Sequence, residues 1–145
     1  MQEQRRTMLK AMGAGAMMFA MGGLSAEAQD GSKDGATVFE LRIYHTVEGR
    51  LPALLARFRD HTVSLFTKHG IVSVAYWTPT DDPLKDKTLI YVLKHPSREE
   101  ATKNWKAFQD DPDWIKVKTD SEASGKIVEK VDSTFMTMTD FSPKV

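Results

Sequence analysis

V38-F-E-L-R-I-Y-H-T46 is the stretch on which the fold turns. Its β-branched and aromatic content and strict alternation predict a strand, with Phe39, Leu41 and Ile43 on one side and Glu40, Arg42 and Tyr44 on the other. Glu48-Gly49 reads as a turn. Beyond it Leu51, Leu54, Leu55, Phe58, Thr62, Leu65 and Phe66 recur at steps of three and four, the apolar stripe of a helix, with Pro52 tolerated in its first turn. Gly70 fits a left-handed helix stop. Two further strands follow, IVSVAYWT (71–78) and TLIYVL (88–93), joined by the loop PTDDPLKDK. Ser97 and Glu100 then form a capping-box pattern ahead of a helix that buries Ala101, Trp105 and Phe108. DDPDW (110–114) breaks this helix, and Asp113 is expected to cap another that runs towards Ser124-Gly125. KIVEKVDSTFMTMT (126–139) is the last strand, and its change of phase between Val131 and Met136 predicts a bulge. The order β-α-β-β-α-β, with one extra helix, specifies an α+β domain of the ferredoxin-like, split βαβ type.

Outward from that core, the N-terminus carries a different kind of information. Arg5, Arg6 and Lys10 precede a stretch without charge from Ala11 to Ala26, too short and too glycine-rich for a bilayer-spanning helix, which needs roughly 20 apolar residues. Ala26-Glu27-Ala28 supplies a small-x-small cleavage pattern. QRRTMLK (4–10) resembles the S/T-R-R-x-F-L-K leaders of twin-arginine export, with Gln4 and Met8 as departures. The expected organisation is a signal peptide at 1–28, cleaved between Ala28 and Gln29, a flexible tether at 29–37, and one domain at 38–145 in the periplasm. Without the leader the chain has 17 basic and 18 acidic residues, which argues against a nucleic-acid or anionic-membrane partner. There is no cysteine, so disulfides, thiolate metal sites and cysteine nucleophiles are excluded.

Helices cover one face of such a sheet. With Glu40, Arg42 and Tyr44 assigned to the opposite face, and the second and third strands apolar on both, the expectation is a second copy packed sheet against sheet in a two-fold homodimer. The V-F-E-L-R-I-Y run at 38–44, the Gly49 turn, L-F-x-K-H-G-I at 65–71, Tyr76-Trp77, L-I-Y-V-L at 89–93 and W-x-x-F-x-x-D-P-x-W at 105–114 together resemble the NIPSNAP family across nearly the whole predicted domain. The resemblance implies a dimeric α+β barrel. That superfamily includes cofactor-free monooxygenases, haem-degrading enzymes and chlorite dismutase-like proteins, so it implies no single activity.

The candidate site residues are Glu40, Arg42, Tyr44, His69 and Trp77. The first three lie at i, i+2 and i+4 on one strand, about 6.6–6.8 Å apart in succession, where they could bind a polar headgroup, steer a proton or fix a dimer interface. No HxH, HExxH or i,i+4 histidine pair exists, so no metal site is expected. No cofactor is expected either. If haem were bound, as in relatives of the superfamily, His69 is the best single axial ligand, ahead of His45, while His95 reads as a strand-to-helix connector. The two Asp clusters, at 81–86 and 110–113, lack the calcium-loop pattern. Trp105 and Trp114 read as core. The leading expectation is a binder of a small hydrophobic or amphipathic molecule; the others are a cofactor-free or haem-dependent oxygenase, and a structural protein with no ligand.

Overall fold

The computed structural model describes residues 36–145. The expected leader, its cleavage point and all but the end of the tether lie outside the described residues. Strand β1 (Val38–Thr46) leads into a continuous helix, α1, made of an α segment (Leu51–Arg57), a π turn (Phe58–Thr62) and a second α segment (Val63–Lys68). β2 (Val72–Trp77), β3 (Thr88–His95), α2 (Arg98–Asp110), α3 (Pro112–Ser121) and β4 (Val128–Met136) complete the chain. The four strands form one antiparallel sheet in the order β2-β3-β1-β4, the ferredoxin-like arrangement that the element order demands. Among the described residues no helix is long and apolar enough to cross a membrane.

Local signals place most boundaries. Pro52 sits in the first turn of α1, and Gly70 ends it at φ +75°. The Ser97 hydroxyl accepts the Glu100 N–H at 3.1 Å, fixing the start of α2. For α3 the cap is Asp111 rather than Asp113: its carboxylate accepts the Asp113 N–H at 2.8 Å, because Pro112 occupies the first helical position. The bulge in β4 is also displaced. The register against β1 shifts between His45 and Thr46, opposite Lys130 and Val128, so Glu129 is the extra residue and the pairing from Val131 to Met136 is regular. A second shift, between Ser73 and Ala75, sets Val74 out of register in β2.

The π turn alters which side of α1 is buried. Inserting one residue carries Leu54, Phe58, Thr62 and Phe66 along one line, and Arg57, at the end of the first α segment, is buried beside them. Thr62 donates its hydroxyl to the Arg57 carbonyl at 3.2 Å, satisfying a backbone group in the widened turn. Phe58 and Phe66 then close on Tyr91 of β3 at centroid distances of 5.3 and 6.1 Å. With Leu54, Leu89, Leu93 and Phe108 they form the core, each large side chain contributing roughly 1.5–3 kcal/mol by leaving water.

That packing reverses the expected assignment of the sheet faces. In the register Arg42 stands opposite Tyr91 and Ser133, and Tyr44 opposite Leu89 and Val131, so Glu40, Arg42 and Tyr44 share the helix-covered face with the aromatic core. Phe39, Leu41 and Ile43 point the other way, with Ile90, Val92, Ala75 and Trp77 beside them. Alternation shows which residues share a face; it does not say which face is inside. The rule that charges face outward fails here because Glu40 and Arg42 bring their own partners into the core.

Candidate functional site

β1 supplies the centre of the site by period two, and the strands on either side complete it. Glu40 is 1% exposed and accepts four hydrogen bonds. Its Oε1 receives the indole N–H of Trp105 at 2.7 Å and Nε2 of His95 at 3.0 Å. Its Oε2 receives Nη1 of Arg42 at 2.7 Å and the Ser133 hydroxyl at 2.8 Å. A carboxylate can only accept, so the His95 proton lies on Nε2. Burial alone would raise the Glu40 carboxyl; the donors, His95 foremost, reverse this and lower it from 4.5 to about 2.

Arg42 carries the network from the carboxylate to two phenols. Its Nε donates to Tyr91 Oη at 3.0 Å and its Nη2 to Tyr44 Oη at 3.3 Å, while the Trp105 ring lies 4.3 Å from the guanidinium carbon. Burial works against this cation, and the phenol oxygens with Glu40 outweigh it, so its pKa rises. Tyr91, fully buried, donates to Tyr44 Oη at 3.1 Å, and burial pushes its own hydroxyl well up. Tyr44 Oη thus accepts from both Tyr91 and Arg42, which leaves its own proton to point elsewhere.

That direction is open. Arg42, Tyr44, Trp105 and Trp114 line a cleft of about 950 Å³ between the β1–β4 side of the sheet and helices α2 and α3. Phe108 adds apolar surface, its ring centroid 4.6 Å from that of Trp114 at a tilt of 32°. The wall is mixed in a useful way, with flat aromatic faces beside a guanidinium and a phenol that are held in place from behind. Such a surface is chemically suited to a planar molecule with one polar end.

Of the five candidates from the sequence, the structure brings Glu40, Arg42 and Tyr44 together and leaves two apart. His69 lies at the end of α1, where Nε2 bonds Asp111 at 2.6 Å beside Lys68 at 2.7 Å. These two groups, Lys68 first, hold the Asp111 carboxyl well below the usual range. With Nε2 engaged and the ring outside the cleft lining, His69 does not fit the role of an axial haem ligand. Trp77 is half-exposed on the opposite face of the sheet, and His45 bonds Asp132 there at 2.9 Å. His95, expected to be a connector, is fully buried on Glu40. Trp105, read from the sequence as core, and Tyr91 of β3 both carry polar tips into the network. The signal that could have found them is their chemistry: a buried Tyr or Trp needs a partner, and β1 offers an acceptor and a donor on one face.

The NIPSNAP family model matches residues 39–143. The chain belongs to the NIPSNAP family. No curated protein sequence is significantly similar to it. Among solved structures, a NIPSNAP-like domain protein from Burkholderia xenovorans superposes with a TM-score of 0.65 at 13% identity, covering 77% of this chain and 92% of that one. A NIPSNAP family protein of unknown function from Agrobacterium tumefaciens gives 0.64 at 18% identity, covering 76% and 95%. The monooxygenase ActVA-Orf6 of Streptomyces coelicolor, in complex with nanaomycin D, gives 0.54 at 12% identity, covering 80% and 99%. At these identities the likeness establishes the ferredoxin-like α+β fold of this NIPSNAP domain and nothing of its chemistry.

Proposed function

We propose that this NIPSNAP protein binds a small amphipathic aromatic molecule in the cleft between sheet and helices. The carrying observation is the paired presentation of Arg42 and Tyr44 beside Trp105 on a cleft wall of about 950 Å³. The buried Glu40 sets Arg42 from behind, so the guanidinium keeps its position whether or not a ligand is bound. The protein is exported as a folded unit by its twin-arginine-type leader and acts in the periplasm as a homodimer. Support for the dimer comes from the open sheet face, where Val72 and Trp77 are 55% and 50% exposed next to Ile43, Ile90 and Val92. Export of a folded passenger requires no cofactor, and none is proposed.

A thermal-shift screen of naphthoquinones, hydroxynaphthoates and flavonoids tests the reading. Stabilisation is expected for planar compounds with one polar end, and it should weaken in Tyr44→Phe. A library that shifts nothing defeats the proposal. A second reading, a cofactor-free oxygenase, is favoured by Tyr44 itself, a phenol held by a cation with its proton directed away from both donors. The ActVA-Orf6 monooxygenase, which holds nanaomycin D, shares the fold. Oxygen uptake with hydroquinones, lost in Tyr44→Phe, would select this reading; binding without uptake would select the first.

A further inference from the structure

We infer that the ligand of the cleft is an organic anion, and that its negative group sits at Arg57 rather than at Arg42. The inference rests on the proposed function and adds to it a charge and a place. It starts from the way the two arginines of the cleft wall are paired. Arg42 has its charge matched by Glu40 at 2.7 Å, and its remaining bonds go to two phenols, so it presents a neutralised donor. Arg57 is 5% exposed, stands three residues after the buried Leu54 at the end of the first α segment, and lies 5.3 Å from the centroid of the Trp114 ring. Its Nη1 donates to the Ser121 hydroxyl at 3.2 Å, and the nearest carboxylate, Glu122, stands at 3.9 Å, outside hydrogen-bond distance. Its Nε is buried with no partner among the described residues. Burial pulls the Arg57 pKa down, with Glu122 offsetting only part of that. A buried cation with one neutral hydrogen bond is costly unless an acceptor arrives.

The surroundings select which side the acceptor comes from. Arg57 stands between two clefts. On one side, a cleft of about 630 Å³ between α1 and α3 carries Asp60, Asp113 and Asp120 against Lys116, an acidic balance that disfavours an anion. On the other, the larger cleft adds Lys118, Lys126 and Lys130 to the arginines against Glu122 and Glu129. In a chain with as many acidic as basic residues, that is a local excess of positive charge, and like the aromatic wall it faces the same space. The ligand would lay its ring on Trp105 and Trp114 and direct its carboxylate, sulfonate or enolate to Arg57.

The test compares 2-naphthoate with 2-naphthamide, which have nearly the same shape and differ in charge, by titration calorimetry on the mature protein. The expected result is at least about ten-fold tighter binding of the naphthoate, since hydrogen bonds to charged groups exceed neutral ones by that order. The preference should vanish in Arg57→Gln and persist in Arg57→Lys. Glu122→Gln alters only the competing carboxylate, at a partly exposed position, and should strengthen naphthoate binding without affecting the amide. It keeps the test decisive if Arg57→Gln does not fold. Equal binding of the two probes, or a preference that survives in Arg57→Gln or is unmoved in Glu122→Gln, overturns the inference and leaves the cleft as a neutral aromatic site. If neither probe binds, the proposed function falls with it.

Discussion

The two faces of the sheet use the same strand in opposite ways. On the helix-covered face β1 places Glu40, Arg42 and Tyr44, three polar groups, and every one is bonded to another side chain there. On the open face it places Phe39, Leu41 and Ile43, and the neighbouring strands continue that surface with Ile90, Val92 and Trp77. The inside therefore holds a polar network within its aromatic core, and the outside is apolar along β1, β3 and β2 and polar along β4, where Lys130, Asp132 and Thr134 face it. The difference teaches that burial on this fold is set by partnership rather than by polarity. A charge is admitted to the interior where donors are placed to meet it, and on the other face Val72 and Trp77 remain about half-exposed among the described residues while Phe39 is buried.

The sharpest way to break the comparison is to remove the acceptor. Glu40→Ala takes the carboxylate from four donors and strands the Arg42 cation, so stability should fall by about 3–5 kcal/mol, the usual cost of breaking a buried ion pair. Urea unfolding followed by tryptophan fluorescence measures it. A loss under about 1 kcal/mol would mean that water replaces the carboxylate and that the polar centre is wet.

Acid titration removes the same charge without mutation. The Glu40 carboxyl is depressed in the folded state from 4.5 to about 2. Its contribution is therefore fully present above pH about 4.5 and is lost as pH falls through the window down to about 2. The shift corresponds to about 3 kcal/mol. Asp111 is lowered as well, so the readout is the difference between the wild-type protein and Glu40→Gln. The variant should be less stable at neutral pH and lose less between pH 5 and 3. Parallel acid curves for the two proteins would show that Glu40 does not titrate in that window.

Tyr91→Phe is the milder incision. It deletes one oxygen that accepts from Arg42 and donates to Tyr44, leaves the ring among Phe58, Phe66 and Tyr76, and should cost about 1–2 kcal/mol. A double-mutant cycle with Tyr44→Phe separates the network from the packing, because a coupling near zero would reduce the three groups to independent neighbours.

How far the sequence reveals these faces depends on the range of the signal. The alternation of VFELRIYHT is local and strong, and with the Pro52, Ser97 and Gly70 punctuation it specifies the strands, the helix limits and the ferredoxin-like order. Which set of alternating residues turns inward is a long-range property. It depends on the Trp105 indole N–H, the Ser133 hydroxyl and the His95 ring, which lie 65, 93 and 55 residues from Glu40. Reading polar residues as outward-facing put Glu40, Arg42 and Tyr44 together correctly and on the wrong side. The π turn has no signature in FRDHT, and the helical stripe does not reveal Arg57, whose burial depends on Ser121 and the Trp114 ring far along the chain. Trp77 and His69 lie apart from the cleft lining for a related reason. An aromatic on a sheet rich in aromatics, and a histidine on the edge of an apolar stripe, are equally consistent with either face.

The smallest expected effect on the fold comes from the open face, and it sharpens the comparison most. Trp77 is 50% exposed at the edge strand β2 and belongs to no hydrogen-bonded network among the described residues, so Trp77→Asp should change the stability of the isolated chain by no more than about 0.5 kcal/mol. Its effect should fall on association instead. A charge placed beside Ile90 on a surface packed against its own copy would have to be desolvated twice in a two-fold interface, once for each protomer. Sedimentation velocity across a concentration series should therefore show the wild-type protein as a dimer and Trp77→Asp shifted towards monomer, with unfolding of the variant independent of concentration. If the variant remains a dimer, the second copy does not cover this part of the sheet, and the apolar face must serve another surface. If the variant unfolds outright, the open face belongs to the core in the same sense as the helix-covered one, and the contrast between partnership inside and partnership outside disappears.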